Sequence, residues 1–246
     1  MSGHSKWATI KRKKGAADAK RSKLFSRLSK EITIAVKIGG ADPDSNPRLR
    51  LAITNAKANS VPKDNITRAV NKGTDKDAAS LQEVTYEGYL PNGIAVYVEC
   101  TTDNLKRTIA NVRAIFSKHG GNLSTNGSLS FMFETKGIFT VPQEGIDQDE
   151  FEMEVIDAGA EDISMEDEFF IITTSLEDFG SMVKKLEALN IEAKSAEIER
   201  IPNETKELDL EKSKKILKAL DAFEDEDDVQ NIFHNLELTE ELANEL

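Results

Sequence analysis

The side chains with the densest potential for chemistry stand at the start of the chain. Lys6, Lys11, Arg12, Lys13, Lys14, Lys20, Arg21, Lys23, Arg27 and Lys30 fall within the first thirty residues against one acid, Asp18. Cations at this density neutralise phosphates, and each contact adds a salt-dependent, sequence-independent increment to nucleic-acid affinity. Lys20, Lys23, Arg27 and Lys30 recur at spacings of three and four, so the basic arm continues into a basic helix face. Trp7 sits in this charged stretch with no apolar periodicity to account for it, and its ring can stack on an unpaired base. The plainer alternative is that the cations keep a helix soluble and that Trp7 folds back onto the protein. The charge density favours a nucleic acid, DNA or RNA, and is silent on sequence and strand type.

Signs of catalysis are weak. His4, His119 and His234 lie in three separate segments, and His119 falls at a helix end, where a cation complements the dipole. Cys100 closes an apolar strand run and reads as a small buried hydrophobe rather than a nucleophile. As a lone cysteine it excludes an intramolecular disulfide framework and an all-cysteine metal cage. Gly39-Gly40 and Gly120-Gly121 follow helices, not strands, so neither is a phosphate-cradling loop of P-loop or dinucleotide type. Thr101-Thr102-Asp103-Asn104 reads as a helix N-cap. If Met1 is removed, Ser2-Gly3-His4 offers an amine, two amide nitrogens and an imidazole to Cu(II) or Ni(II), an incidental property. The sequence thus assigns no catalytic residue, no metal site and no cofactor, and the chain reads as a non-enzyme.

The net charge of −12 conceals a division along the chain. Residues 1–80 hold 18 Lys/Arg and 7 Asp/Glu, residues 81–130 hold 4 of each, and residues 131–246 hold 10 and 33. One end is built to meet a polyanion that the other would repel, because the field near a surface follows local charge. The acid run Asp221 to Asp228 is expected as a solvated loop, with docking onto a basic partner protein or repelling nucleic acid from the wrong face as the sharper alternatives. A length of 246 residues suits two or three domains. No run approaches the roughly 18 apolar residues of a membrane span, and Met1 to Lys14 lacks the apolar stretch of a secretory signal. The expectation is a soluble intracellular protein of several domains, with no small-molecule substrate evident.

Positioning these groups requires folded elements. Leu24, Phe25, Leu28, Ile32, Ala35 and Val36 form one helical stripe ending at Gly39-Gly40. Asn46 can cap a second helix with Pro47 at its first position and Leu49, Ala52, Ile53 and Ala56 inward. Pro62 starts a third, with Ile66, Ala69 and Val70 inward and Gly73 as terminator. Strands are expected at about 84–89, 94–100 and 128–133, with a helix carrying Leu105, Ile109, Val112 and Phe116 between the last two. A β-α-β-β-α-β series then follows: strand 137–141, helix 149–158, strands 162–165 and 169–173, helix 176–189 and strand 191–201. That order is the ferredoxin-like split arrangement. Helix 208–223 and strand 229–235 would complete the interrupted first sheet. The fold class is therefore α+β multidomain: residues 1–80 as basic arm plus three-helix bundle, 81–134 with 204–246 as a discontinuous α+β domain, and 135–203 as a ferredoxin-like domain inserted into it.

Gly3-His-Ser-Lys-Trp7 with Ile10-Lys11 resembles the YebC family of bacteria, whose mitochondrial relative is a translational activator of cytochrome oxidase. The likeness continues through Asp18-Ala-Lys-Arg21, Asn46-Pro-Arg-Leu49, Val61-Pro-Lys-Asp-Asn65, Tyr86-Glu-Gly-Tyr89 and Pro91-Asn-Gly93. It extends to Thr102-Asp-Asn104, Phe116-Ser-Lys-His-Gly-Gly-Asn122 and Asp228-Val-Gln-Asn231, nearly the whole chain. The resemblance implies three domains, one inserted in another, and a cytoplasmic regulator of gene expression without catalysis. It also implies two functional descriptions: a DNA-binding transcriptional regulator, and a ribosome-associated translation factor that binds ribosomal RNA and eases stalling on proline-rich stretches. No helix-turn-helix signature stands out in residues 47–72, which weighs against sequence-specific duplex reading. The mobile basic arm and Trp7 suit RNA somewhat better, whereas the family descriptions favour transcription.

Overall fold

Three spaced apolar stripes build the first unit of the computed structural model, which describes residues 17–75, 81–239 and 241–242. Helix α1 (Ala17–Gly39) ends as Gly40 takes a φ of +90°, and α2 (Pro47–Ala58) and α3 (Lys63–Thr74) fold against it. Asn46 does more than cap α2. Its Oδ1 accepts from Leu49 N, while its Nδ2 donates to the carbonyls of Ala35 and Gly40, both at 2.8 Å, joining the end of α1 to the start of α2. Ile32, Ala35, Val36, Leu49, Ala52, Ala56, Ile66 and Ala69 make the shared core. Leu24, the first member of the expected stripe, is instead exposed. Gly73 does not terminate α3 but lies inside it. A Cβ there would meet Val36 Cβ at 2.6 Å and the Thr33 carbonyl at 2.7 Å, so glycine permits the close approach of α1 and α3.

The first sheet has the order β3-β1-β2-β8, from β1 (Gln82–Leu90), β2 (Ile94–Thr102), β3 (Asn122–Leu123) and β8 (Val229–His234). Helices α4 (Leu105–Lys118) and α7 (Leu210–Glu224) pack on one face. Val112 and Phe116 from α4 meet Ile216, Leu217, Leu220 and Phe223 from α7 over Val96, Val98 and Cys100. The strand expected at 128–133 is not formed. The buried Glu87 carboxylate accepts from Gly127 N at 2.7 Å and Leu129 N at 2.6 Å, claiming backbone donors that a strand would need. Residues 130–132 form a 3₁₀ turn instead.

The second sheet has the order β5-β6-β4-β7, wholly antiparallel, from β4 (Phe133–Pro142), β5 (Ala160–Glu166), β6 (Phe169–Ser175) and β7 (Ser195–Pro202). Helices α5 (Gln148–Asp157) and α6 (Phe179–Ala188) cover it through Phe151, Val155, Met182 and Leu186. The order of elements and strands is that of the split β-α-β-β-α-β arrangement. Only after β7 does the chain return, through α7, to lay β8 beside β2. Among the described residues no helix is long and apolar enough to cross a membrane.

Candidate nucleic-acid interface

The basic face of α1 is largely spoken for within the protein. Lys23 Nζ donates to Asp225 Oδ1 at 2.8 Å and to the Asp225 carbonyl at 2.9 Å. Arg27 Nη2 donates to the Glu224 carbonyl at 2.6 Å. Lys30 Nζ reaches the Asp227 carbonyl at 2.7 Å, Asp228 Oδ1 at 3.2 Å and the Thr101 carbonyl at 3.3 Å. The acceptors follow from the end of α7: its last carbonyls lack helical partners and carry the negative end of the dipole, and an acid run follows at once. Three cations spaced three and four residues apart on α1 match that target.

Asp228 is the centre of this contact and is 3% exposed. Besides Lys30 it accepts from Arg107 Nη2 at 2.7 Å, Thr108 Oγ1 at 2.9 Å and Thr102 Oγ1 at 3.1 Å. Burial alone would raise its pKa, but the hydrogen bonds from Arg107 and Thr108 and the charge of Lys30 outweigh burial and hold the carboxyl below its ordinary value. The run Asp221 to Asp228 is therefore not simply a solvated loop. Its last residue is interior and its carbonyls hold α1. Thr102-Asp103-Asn104 does cap α4, with Asn104 Oδ1 accepting from Arg107 N at 3.1 Å.

The other expected contact residues fall out as follows. Lys6, Trp7, Lys11, Arg12, Lys13 and Lys14 lie outside the described residues, as does Ser2-Gly3-His4. Lys20 is in α1, with its side chain outside the description. Arg21 is exposed, its guanidinium 5.4 Å from the centre of the Phe25 ring. The structure adds cations that charge counting alone did not single out. Lys57 at the end of α2 and Lys63, Arg68 and Lys72 on α3 are exposed and make no ion pair among the described residues. The signal was present in the sequence, since Arg68 and Lys72 fall opposite the Ile66/Ala69 stripe. Arg48, by contrast, is tied to Glu31 at 2.8 Å and to Glu83.

Groups capable of other chemistry are muted. Cys100 is 2% exposed, and burial, followed by the charge of Asp228, pushes its thiol up to about 12. His119 caps α4, where burial, and then Lys118, lower its pKa and so oppose the helix-end cation its position suggested. Among the described residues no three His, Cys, Asp or Glu side chains gather as a metal site would need.

This arrangement, a three-helix unit braced against an α+β unit interrupted by a ferredoxin-like one, recurs in a solved structure. The crystal structure of a conserved hypothetical protein, Aq1575 from Aquifex aeolicus, matches 89% of this chain and 91% of its own with a TM-score of 0.80 at 43% identity. Residues 5–76 match the TACO1/YebC protein N-terminal domain, and residues 81–236 match the TACO1/YebC second and third domain. The chain belongs to the TACO1/YebC family. Relatives include a "Probable transcriptional regulatory protein" of Amoebophilus asiaticus, 52% identical over 96% of this chain and 98% of that protein. Another of the same name from Chloroherpeton thalassium is 50% identical over 100% and 99%. The protein CT1665 of Chlorobaculum tepidum, also so named, is 48% identical over 100% and 99%.

Proposed function

We propose that this protein is a non-enzymatic regulator of gene expression that binds duplex DNA through its basic amino-terminal part and acts on transcription in the cytoplasm. The observation that carries the reading is the segregation of charge. Residues 1–80 hold 18 Lys/Arg against 7 Asp/Glu, while the rest of the chain is acidic. The names of the full-length relatives point the same way. In this reading Lys6, Lys11, Arg12, Lys13, Lys14, Lys20 and Arg21 meet phosphates, and Trp7 probes an exposed base. Lys57, Lys63, Arg68 and Lys72 add exposed charge. Lys23, Arg27 and Lys30 serve as anchors that set where the basic segment leaves the folded body.

The test compares the full chain with a variant lacking residues 2–14, which leaves α1 and its anchors intact. Five cations are removed, so at about 0.9 per phosphate the dependence of log affinity on log salt should flatten by about 4.5 on a duplex. An unchanged slope would sink the arm as the contact. Trp7 is the single tryptophan, so its fluorescence reports the arm directly and should be quenched on binding. Tighter binding to ribosomal RNA than to duplex DNA at equal salt would move the target from promoter to ribosome.

A further inference from the structure

The two helices on the first sheet carry a set of cations that the proposed function does not use. Helix α4 contains Lys106, Arg107, Arg113 and Lys118 and no acid. Arg107 is engaged by Asp103 and Asp228, whereas Lys106, Arg113 and Lys118 are exposed with no ion pair or hydrogen bond among the described residues. Between them Ala110, Ala114 and Ser117 are exposed and small, while Leu105 is exposed at the start of the helix. On α7, Lys215 and Lys218 are likewise exposed and in no ion pair or hydrogen bond among the described residues, with Glu211 and Asp221 at either side and the charge of Lys215 felt by Asp209.

Their placement makes one surface of these charges. Arg107 meets residue 228, Asn111 bonds Glu226 at 3.0 Å and the Phe116 ring lies 4.7 Å from that of Phe223, so α4 and α7 run antiparallel, side by side. Both bury their apolar faces in the same core and leave Lys106, Arg113, Lys118, Lys215 and Lys218 exposed, Lys106 and Arg113 on the flank of α4 away from α7. Lys106 and Arg113 are two turns apart, about 10 Å along the axis, and neighbouring helix axes lie about 10 Å apart. In a chain with 44 acids, five exposed cations in no ion pair among the described residues, with Glu211 and Asp221 beside two of them, give the solvent side of this layer a positive surplus that a polyanion fits. Lys23 and Arg27 also pin α1, which follows the basic segment in sequence, to the C-terminal end of α7.

We propose that the outward surface of the α4–α7 layer is a second contact for the sugar–phosphate backbone of a nucleic acid, with Lys106, Arg113, Lys118, Lys215 and Lys218 meeting phosphates and the small residues of α4 allowing close approach. One polymer then runs from the arm across the layer. This rests on the nucleic-acid binding proposed above and extends it to residues outside the amino-terminal unit.

The test uses the full chain, a K106Q/R113Q/K118Q/K215Q/K218Q variant and the variant lacking residues 2–14, each titrated with a 30-base-pair duplex and with a stem–loop RNA. Lysine acetylation with and without each polymer reports on individual side chains. The expected result is protection of Lys106, Lys118, Lys215 and Lys218 in the unmodified protein. The fivefold variant should bind about tenfold more weakly and lose at least about 2 from the salt slope, with Trp7 quenching retained. Whichever polymer protects these lysines at the lower concentration identifies the source of the phosphates. Trp7 quenching without protection, and with an unchanged slope in the fivefold variant, would overturn the layer and leave the arm standing. Protection that persists without residues 2–14 would uphold the layer as a contact in its own right, and an unchanged salt slope in that variant would remove the arm. No binding of either polymer would overturn both. Should the fivefold variant fail to fold, protection in the unmodified protein decides.

Discussion

Cys100 shows how burial disposes of a reactive group. Its thiol is packed among Val96, Val98 and Phe223 and its pKa is raised to about 12, so little thiolate exists at neutral pH. Alkylation by iodoacetamide at pH 8 should be negligible in the folded protein and complete in denaturant; rapid labelling of the native chain would contradict this burial. Gly73 is the opposite case, a residue whose worth is the absence of a side chain. Gly73→Ala places a methyl group 2.6 Å from Val36 Cβ and 2.7 Å from the Thr33 carbonyl, both on a packed helix. We expect a loss of about 1–3 kcal/mol in urea unfolding, despite alanine's better helix propensity. Reading Gly73 as a terminator was reasonable from glycine's usual place, since only the neighbour 37 residues away reveals the contact.

The junction of α1 with the end of α7 joins exposed and buried pairs of unequal value. Lys23 and Asp225 have side chains 38% and 74% exposed, and a pair so solvated contributes about 0–1 kcal/mol. Lys23→Gln should therefore shift the melting temperature little. Asp228 differs, because its carboxylate is buried and takes four side-chain donors from three elements. Its folded pKa is depressed, so its stabilisation is present above the unfolded value of about 4 and is lost as pH falls through the folded value. Asp228→Asn should lower stability at pH 7 by about 1–3 kcal/mol. It should also narrow the difference in melting temperature between pH 7 and pH 3 relative to the unsubstituted chain. An equal acid dependence in both proteins would show that Asp228 is not the titrating group. The sequence marked Asp221 to Asp228 as acidic but not as a helix end waiting for cations. That reading needed α1, about 200 residues away.

The two sheets meet through one small apolar cluster, in which Phe133 at the start of β4 packs with Ala95, Tyr97, Leu129 and Phe233, and through a few polar links. Arg200 on β7 bonds Glu99 on β2 at 3.0 Å and stacks over Tyr97, and Asn55 on α2 exchanges hydrogen bonds with the backbone of Ala196. The second sheet has its own core, to which, among the described residues, Leu51 alone contributes from outside. β4 and β7 pair from Phe133↔Pro202 onward, closing the unit at its two ends. We therefore propose that residues 133–203 fold alone as an inserted domain. A fragment of that span should melt cooperatively by circular dichroism, and a disordered spectrum would count against the division.

What the sequence determined by itself was local. The helices followed from apolar spacing, Asn46-Pro47 and Asn104 placed two starts, and alternating residues with turns placed seven of the eight strands. Those features depend on residues within a turn or two of each other, so the chain carries them at short range. The order β-α-β-β-α-β was legible for the same reason. Tertiary structure alone decided which groups met across long separations. Glu87, 42 residues from Leu129, took the amides that would have made a strand of 128–133. Asp225, 202 residues from Lys23, took a cation that the sequence offered to phosphate. A charge in a sequence names a force but not its recipient, and a fold can supply that recipient from within.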